Sequence, residues 1–247
     1  MAILVQFLLR LSFGLAVGMA ITSSRLVSSG YFRNHLYVTL GLATLAALVA
    51  SQFSMIIAIL AGAAAVFSYV AAVCWLYEAK RAGGALLWFV AGCSLAAALA
   101  GTLAATTQPN ALQPISVVTS GLVLGLTLAA MLLGHWYLNS PGMELAPLRR
   151  LLMFVAAAVG AQMLVSAAGL VGELHVGGGT NVGWWMFVLL RWSFGLVGVL
   201  ALIAMVWQTL RIPNTQSATG ILYVAVIGTF VGELMALLLS AESVYPL

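Results

Sequence analysis

The chain has 247 residues, of which 64% are hydrophobic and only 6% charged, with no aspartate and a formal net charge of +4. Soluble domains carry about a quarter charged residues, so a soluble globular protein is excluded. In so apolar a chain the positive balance encodes membrane orientation, and no nucleic-acid partner is expected.

Apolar runs long enough to read as bilayer spans, roughly 18 residues or more, follow one another to the end, with no polar stretch long enough to fold separately. The expectation is an all-α membrane protein, residues 1–247 forming a single polytopic transmembrane domain of about eight helices. The first span, near 3–22, has no basic n-region and is interrupted by Arg10, so it reads as a permanent span and not a secretory signal. The second, 35–50, is the short one. Only Ser51-Gln52-Phe53 separates it from the third, 54–77, which demands a tight antiparallel hairpin. The remaining spans fall near 85–105, 115–138, 149–173, 183–207 and 217–240. At about 1.5 Å per residue, about 20 residues cross a hydrocarbon core of roughly 30 Å. Ser140-Pro141-Gly142 and Pro213-Asn214 supply tight turns, with Asn214 or Ser217 available to cap the last helix. Cys74 and Cys93 lie inside apolar spans without metal-ligand spacing and read as small buried hydrophobes.

Orientation follows from the basic residues. Arg25 and Arg33, Lys80 and Arg81, Arg149 and Arg150, and Arg211 all fall between spans on one side, whereas the other side's connections contain no Lys or Arg. By the positive-inside rule the basic side is cytoplasmic and both termini lie on the non-cytoplasmic side. A bacterial inner membrane is the expected location. Trp184 and Trp185 at the outer boundary, and Trp136, Tyr137, Trp75 and Tyr77 at the inner one, fit that frame.

The string Leu-Leu-Arg-x-Ser-Phe-Gly-Leu occurs twice, at Leu8–Leu15 and Leu189–Leu196, and each copy is followed by a segment that starts with Arg and ends in Leu-Tyr-Val. Both copies sit in spans that run the same way, so helices 1-2 and 7-8 read as a parallel repeat, unlike the inverted repeats of many transporters. On a helix Arg10 shares a face with Phe13, Gly14, Val17 and Gly18, and Arg191 with Phe194, Gly195 and Gly198. Glycines on that face permit close helix contact. Arg10 and Arg191 lie roughly 10 Å inside their spans, and Glu233 reaches a similar depth from the outer end of the eighth. A charge at that depth costs about 2.5 kcal/mol or more on insertion scales, so it pairs or lines a polar cavity. The expectation is an outer-leaflet cluster of Arg10, Arg191, Glu233 and Glu173. Arg191 and Glu233 are the best pair, leaving Arg10 for Glu173 or an external anion. A structural ion-pair network and a ligand site are the two readings of this cluster. Val-Gly-Glu-Leu, at Val171–Leu174 and Val231–Leu234, is too short a match to carry a role of its own.

His35 and His135 share a depth on the basic side, which suits a bis-histidine haem b or, more commonly, headgroup and backbone contacts. His175 lies in the opposite loop and cannot join them. No phosphate-binding loop, G-x-S-x-G, H-E-x-x-H or paired aspartates occur, so an ordinary hydrolase or NTP-driven pump is disfavoured and no catalytic activity of its own is expected.

In helix count and outward termini the chain resembles the eight-helix quinone-reactive subunits of the polysulfide-reductase and dimethyl-sulfoxide-reductase type, a resemblance of architecture without a shared motif. The leading expectation is a membrane subunit of a larger redox or biogenesis assembly, with protein partners in the bilayer, a quinone as a candidate ligand, and a quinone- or lipid-sized cleft near the Arg/Glu cluster. The alternatives are a transporter of a small solute or anion, and a structural or assembly factor without ligand.

Overall fold

The computed structural model describes residues 1–105, 110–140, 142–179, 181–212 and 214–247. Among these the chain is an all-α bundle: α1 (Ala2–Ile21), α2 (Ser29–Ala50), α3 (Met55–Leu76), α4 (Lys80–Ala105), α5 (Leu112–Asn139), α6 (Ala146–His175), α7 (Val182–Thr209) and α8 (Thr215–Glu242). Seven of these, all but α2, are long and apolar enough to cross a membrane. The multi-pass helical architecture read from composition is therefore the one observed.

Helix α2 is not the short one expected. It spans 22 residues because Arg33, Asn34 and His35 continue the helix downward from Ser29, and these polar turns hide it from a reading based on apolar runs. Ser51–Phe53 forms the tight turn, and Ser54 caps α3 by accepting a hydrogen bond from the Ile57 amide. Asn214 likewise caps α8 through the Ser217 amide. Cys74 and Cys93 are free and half-buried, a correction to the buried positions expected, since each sits at the margin of its helix's packed face.

The helices pack as two four-membered rings. In the first, α1 contacts α2, α2 contacts α3, α3 contacts α4, and α4 returns to α1; α5 to α8 close in the same order, with α5 returning to α8. The seam between rings is α1 against α5, and these two are the most buried of the spans. In a bilayer, burial of apolar surface gives little drive for helices to associate, so close contact between small residues has to hold them together. The seam meets that demand with glycine. Gly14 faces the backbone of Gly121 and Gly125, and Gly18 faces Ala129. The first ring does the same with buried alanines, among them Ala43, Ala46, Ala61, Ala64, Ala97 and Ala98.

This packing changes the meaning of the repeated string. Its first copy lies on α1 at the seam, and its second on α7, which is buried over much less of its length. Arg10 meets Ser120 and Gly14 meets Gly121 and Gly125, so α1 runs alongside a helix of the same direction. Arg191 meets Gly232 and Glu233 while Phe194 meets Gly228, so α7 docks on a helix of opposite direction. The shared element is the motif set against a glycine pair four residues apart, not the surrounding hairpin.

The two ends of the bundle differ in charge. At one end Arg25 lies near Lys80 and Arg81, Arg149 donates to the Leu210 carbonyl at 2.6 Å, and Glu78 pairs with Lys80 at 3.4 Å. Glu78 takes the left-handed conformation that ends α3, held there by a hydrogen bond from the Ser29 hydroxyl at 2.8 Å. That bond, and then the Lys80 ammonium, keep its carboxyl below the usual carboxylate range. The opposite end gathers the first turn of α1, the α2–α3 turn, the end of α4, the start of α5 and residues 243–247. Reporter fusions at Lys80 and Arg211 are expected to read cytoplasmic, and fusions at Gly178 and Leu247 external. A cytoplasmic signal at Leu247 would overturn this orientation.

Candidate functional site

The close approach of α7 and α8 builds the first part of the site. Gly195 sits against Gly232 with no room for a Cβ on either, which brings Arg191, four residues before Gly195, onto the Gly232–Glu233 turn. Residues 191–198 are wound as a π-helix, a wider turn that recurs at functional positions in helices. The Arg191 guanidinium, 1% exposed, donates to Glu233 Oε1 at 3.2 Å, to the Gly232 carbonyl at 3.1 Å and to Ser166 Oγ at 3.0 Å. Glu233 is 2% exposed. The pair expected from sequence is therefore in contact, with both side chains buried. Arg191 Nε and Glu233 Oε2 find no hydrogen-bond partner among the described residues.

Arg10 stands differently. It is 8% exposed, its Nε donates to Gln6 Oε1 at 3.3 Å and its Nη1 to Ser120 Oγ at 2.9 Å. Both partners are neutral. Gln6 is in turn fixed by donating to the Ala98 carbonyl at 3.0 Å and accepting from Thr102 at 3.2 Å. Among the described residues no carboxylate lies within ion-pair distance of Arg10, and Glu233 acts on it only from further away.

The expected Arg10–Glu173 contact is not made. Glu173 Oε2 instead accepts from the amides of Val244 and Tyr245, at 3.0 and 3.1 Å. The segment 243–247 folds back over α6 because Gly169 and Gly172 leave space there, filled by the Pro246 carbonyl and the Tyr245 ring. The two copies of Val-Gly-Glu-Leu share one arrangement. In both copies of Val-Gly-Glu-Leu the glycine admits a neighbouring segment and the glutamate binds the donors that segment brings.

Arg10 borders a cleft of about 620 Å³ at the end of the bundle that holds residues 243–247. Its polar lining includes Gln6, Arg10, Gln113, Ser116, Ser240 and Ser243, and its apolar walls include Ile3, Val5, Ile57 and Leu237. Sequence reasoning missed Gln6, Ser116, Ser120 and Gln113. Gln6 was legible as the residue one turn before Arg10, and Ser116 and Ser120 as a pair one turn apart leading into Gly121.

The histidines take separate partners. His35 is buried, its Nδ1 lies 2.6 Å from the Tyr31 carbonyl, and its ring packs near Tyr31 and Trp136. Since a carbonyl only accepts, Nδ1 carries the proton there. His135 is exposed, with Nδ1 3.3 Å from the Tyr223 hydroxyl. These are the backbone and side-chain contacts that interfacial histidines commonly make. Among the described residues no group of three or more His, Cys, Asp or Glu is placed to hold a metal ion.

Comparison with known families, curated proteins and solved structures gave no match.

Proposed function

We propose that the chain is a multi-pass subunit of a larger redox or biogenesis assembly in a bacterial inner membrane, and that its own contribution is to hold a quinone- or lipid-sized amphiphile in the Arg10 cleft. One observation carries this reading: of the two buried arginines, Arg191 is neutralised by Glu233, whereas Arg10 is held by neutral groups at the edge of a cleft. A buried cation without a counter-ion is costly, and such groups in membranes mark ligand or ion pathways. The cleft volume falls in the range of small-molecule sites, roughly 300–1,000 Å³, and its mix of apolar walls with a few polar groups is what such sites use to fix orientation. Gln6 and Ser120 hold the guanidinium in place before any ligand arrives.

The test is ligand-dependent stability of the purified protein in detergent. A short-chain ubiquinone, phosphatidylglycerol and phosphatidylcholine are each added at increasing concentration, and unfolding is followed by heating. At about 100 times Kd a ligand that binds only the folded state adds about 2.7 kcal/mol, a rise in Tm on the order of 5 °C for a chain of this size. The rise is expected for at least one of the three and is expected to disappear in Arg10→Gln. Equal responses of the wild type and Arg10→Gln to all three would overturn the cleft as a binding site.

A further inference from the structure

Charge and hydrogen-bonding capacity in the cleft narrow the ligand further. Resting on the amphiphile reading above, we infer that the Arg10 cleft binds a singly anionic phosphoglycerol-type group, with the phosphate on Arg10 and a hydroxyl on Gln113.

Arg10, Arg191 and Glu233 act on one another electrostatically, two cations with one carboxylate. The group therefore carries one uncompensated positive charge. That charge sits at Arg10, because Glu233 is committed to Arg191 at 3.2 Å. Among the described residues the cleft lining contains no Glu, and the sequence has no aspartate. A neutral ligand such as a quinone would leave the cation desolvated and uncompensated; one anion cancels it. A guanidinium has five N–H donors, of which the contacts to Gln6 and Ser120 use two, so three are left for the oxygens of a phosphate.

Gln113 defines the second half of the head. Its Nε2 donates to the Val244 carbonyl at 3.4 Å, while its Oε1 is buried and has no partner among the described residues. Asn110 Nδ2 donates to the same Val244 carbonyl at 3.0 Å, which fixes residues 243–247 against the start of α5. A buried acceptor left unmade costs about 1–3 kcal/mol, so Oε1 calls for a donor from whatever fills the cleft. Ser243 Oγ, also buried without a partner, borders the same space. A phosphodiester group, which carries no O–H, satisfies Arg10 and offers Gln113 nothing. A phosphate ester bearing free hydroxyls satisfies both.

The experiment is native mass spectrometry of the protein released from nanodiscs that contain equal amounts of phosphatidylglycerol and phosphatidylcholine. Phosphatidylglycerol is expected to be retained at least tenfold over phosphatidylcholine. The preference is expected to vanish in Arg10→Gln, to survive in Arg10→Lys, and to fall severalfold in Gln113→Leu, which leaves the arginine intact and reads the site even if Arg10→Gln does not fold. Glycerophosphoglycerol, a singly anionic phosphodiester with free hydroxyls, added at millimolar concentration separates the two sources of this chemistry. Displacement of the lipid by it supports the inference and assigns the head to a soluble phosphate ester; failure to displace supports the inference with the lipid as the source. Equal retention of the two lipids, or a preference unchanged in both Arg10→Gln and Gln113→Leu, overturns the inference. If the ubiquinone or phosphatidylcholine still stabilises the protein in an Arg10-dependent way, the amphiphile cleft survives and only its anionic character is lost. If no amphiphile does, both readings fall together.

Discussion

Glu233→Gln is expected to lower stability in detergent by about 3–5 kcal/mol, the cost of removing one member of a buried ion pair. The loss should sit at the upper end of that range for a reason specific to this bundle. Among the described residues Glu233 is the carboxylate paired with Arg191, and it also acts on Arg10, so its removal leaves Arg191 without a counter-ion and lets Arg10 and Arg191 repel each other unopposed. Arg191→Met removes one cation and leaves Glu233 with the more distant Arg10, so it should cost less than Glu233→Gln. Combining the two should recover part of the loss, because no unpaired charge then remains at the α7–α8 contact. The measurement is a double-mutant cycle on thermal unfolding of the detergent-solubilised protein. Additive effects, with no recovery in the double variant, would contradict a coupled pair.

Gly14→Ala and Gly125→Ala are each expected to prevent the two rings from closing, at a cost of at least about 3 kcal/mol, the upper end of ordinary overpacking. A Cβ on Gly14 would overlap the Gly121 carbonyl, and one on Gly125 would overlap the backbone of Gly14 and Leu15. Backbone cannot rotate out of the way as a side chain can, so α1 and α5 would have to part. Gly41→Ala is the control, since a Cβ there meets nothing within 4 Å. It should be neutral or slightly stabilising, because alanine favours a helix over glycine by about 1 kcal/mol. The readout is the yield of a single monodisperse peak in size-exclusion chromatography, with Tm as a second measure. Gly14→Ala behaving like Gly41→Ala would show that the seam is looser than described.

Sequence reasoning reached the Arg191–Glu233 contact because both residues sit at matching depth on consecutive antiparallel helices, where depth and adjacency follow from the chain itself. It failed for Arg10. The choice between Glu173 and another partner depended on where α1 lies relative to α6, and depth alone does not give lateral position. The rings put α5 and its serines beside Arg10, while residues 243–247 occupy Glu173. The same gap hid the difference between the two copies of the repeated string, which are alike in their helices and face neighbours of opposite direction.

Composition, span length and the placement of Arg25, Lys80, Arg149 and Arg211 determined the membrane class, the number of helices and the unequal charge of the two ends. Each of these is a property of position along the membrane normal, where hydrophobic thickness and basic residues act on every segment separately. The two-ring arrangement, the glycine seam, the engagement of Glu173 by Val244 and Tyr245, and the placement of Arg10 at the edge of a cleft were decided only by tertiary structure. They depend on which helix lies beside which, and in a bilayer that is set by close contact of small side chains and by pairing of the few polar groups, interactions that exist only once the helices have met.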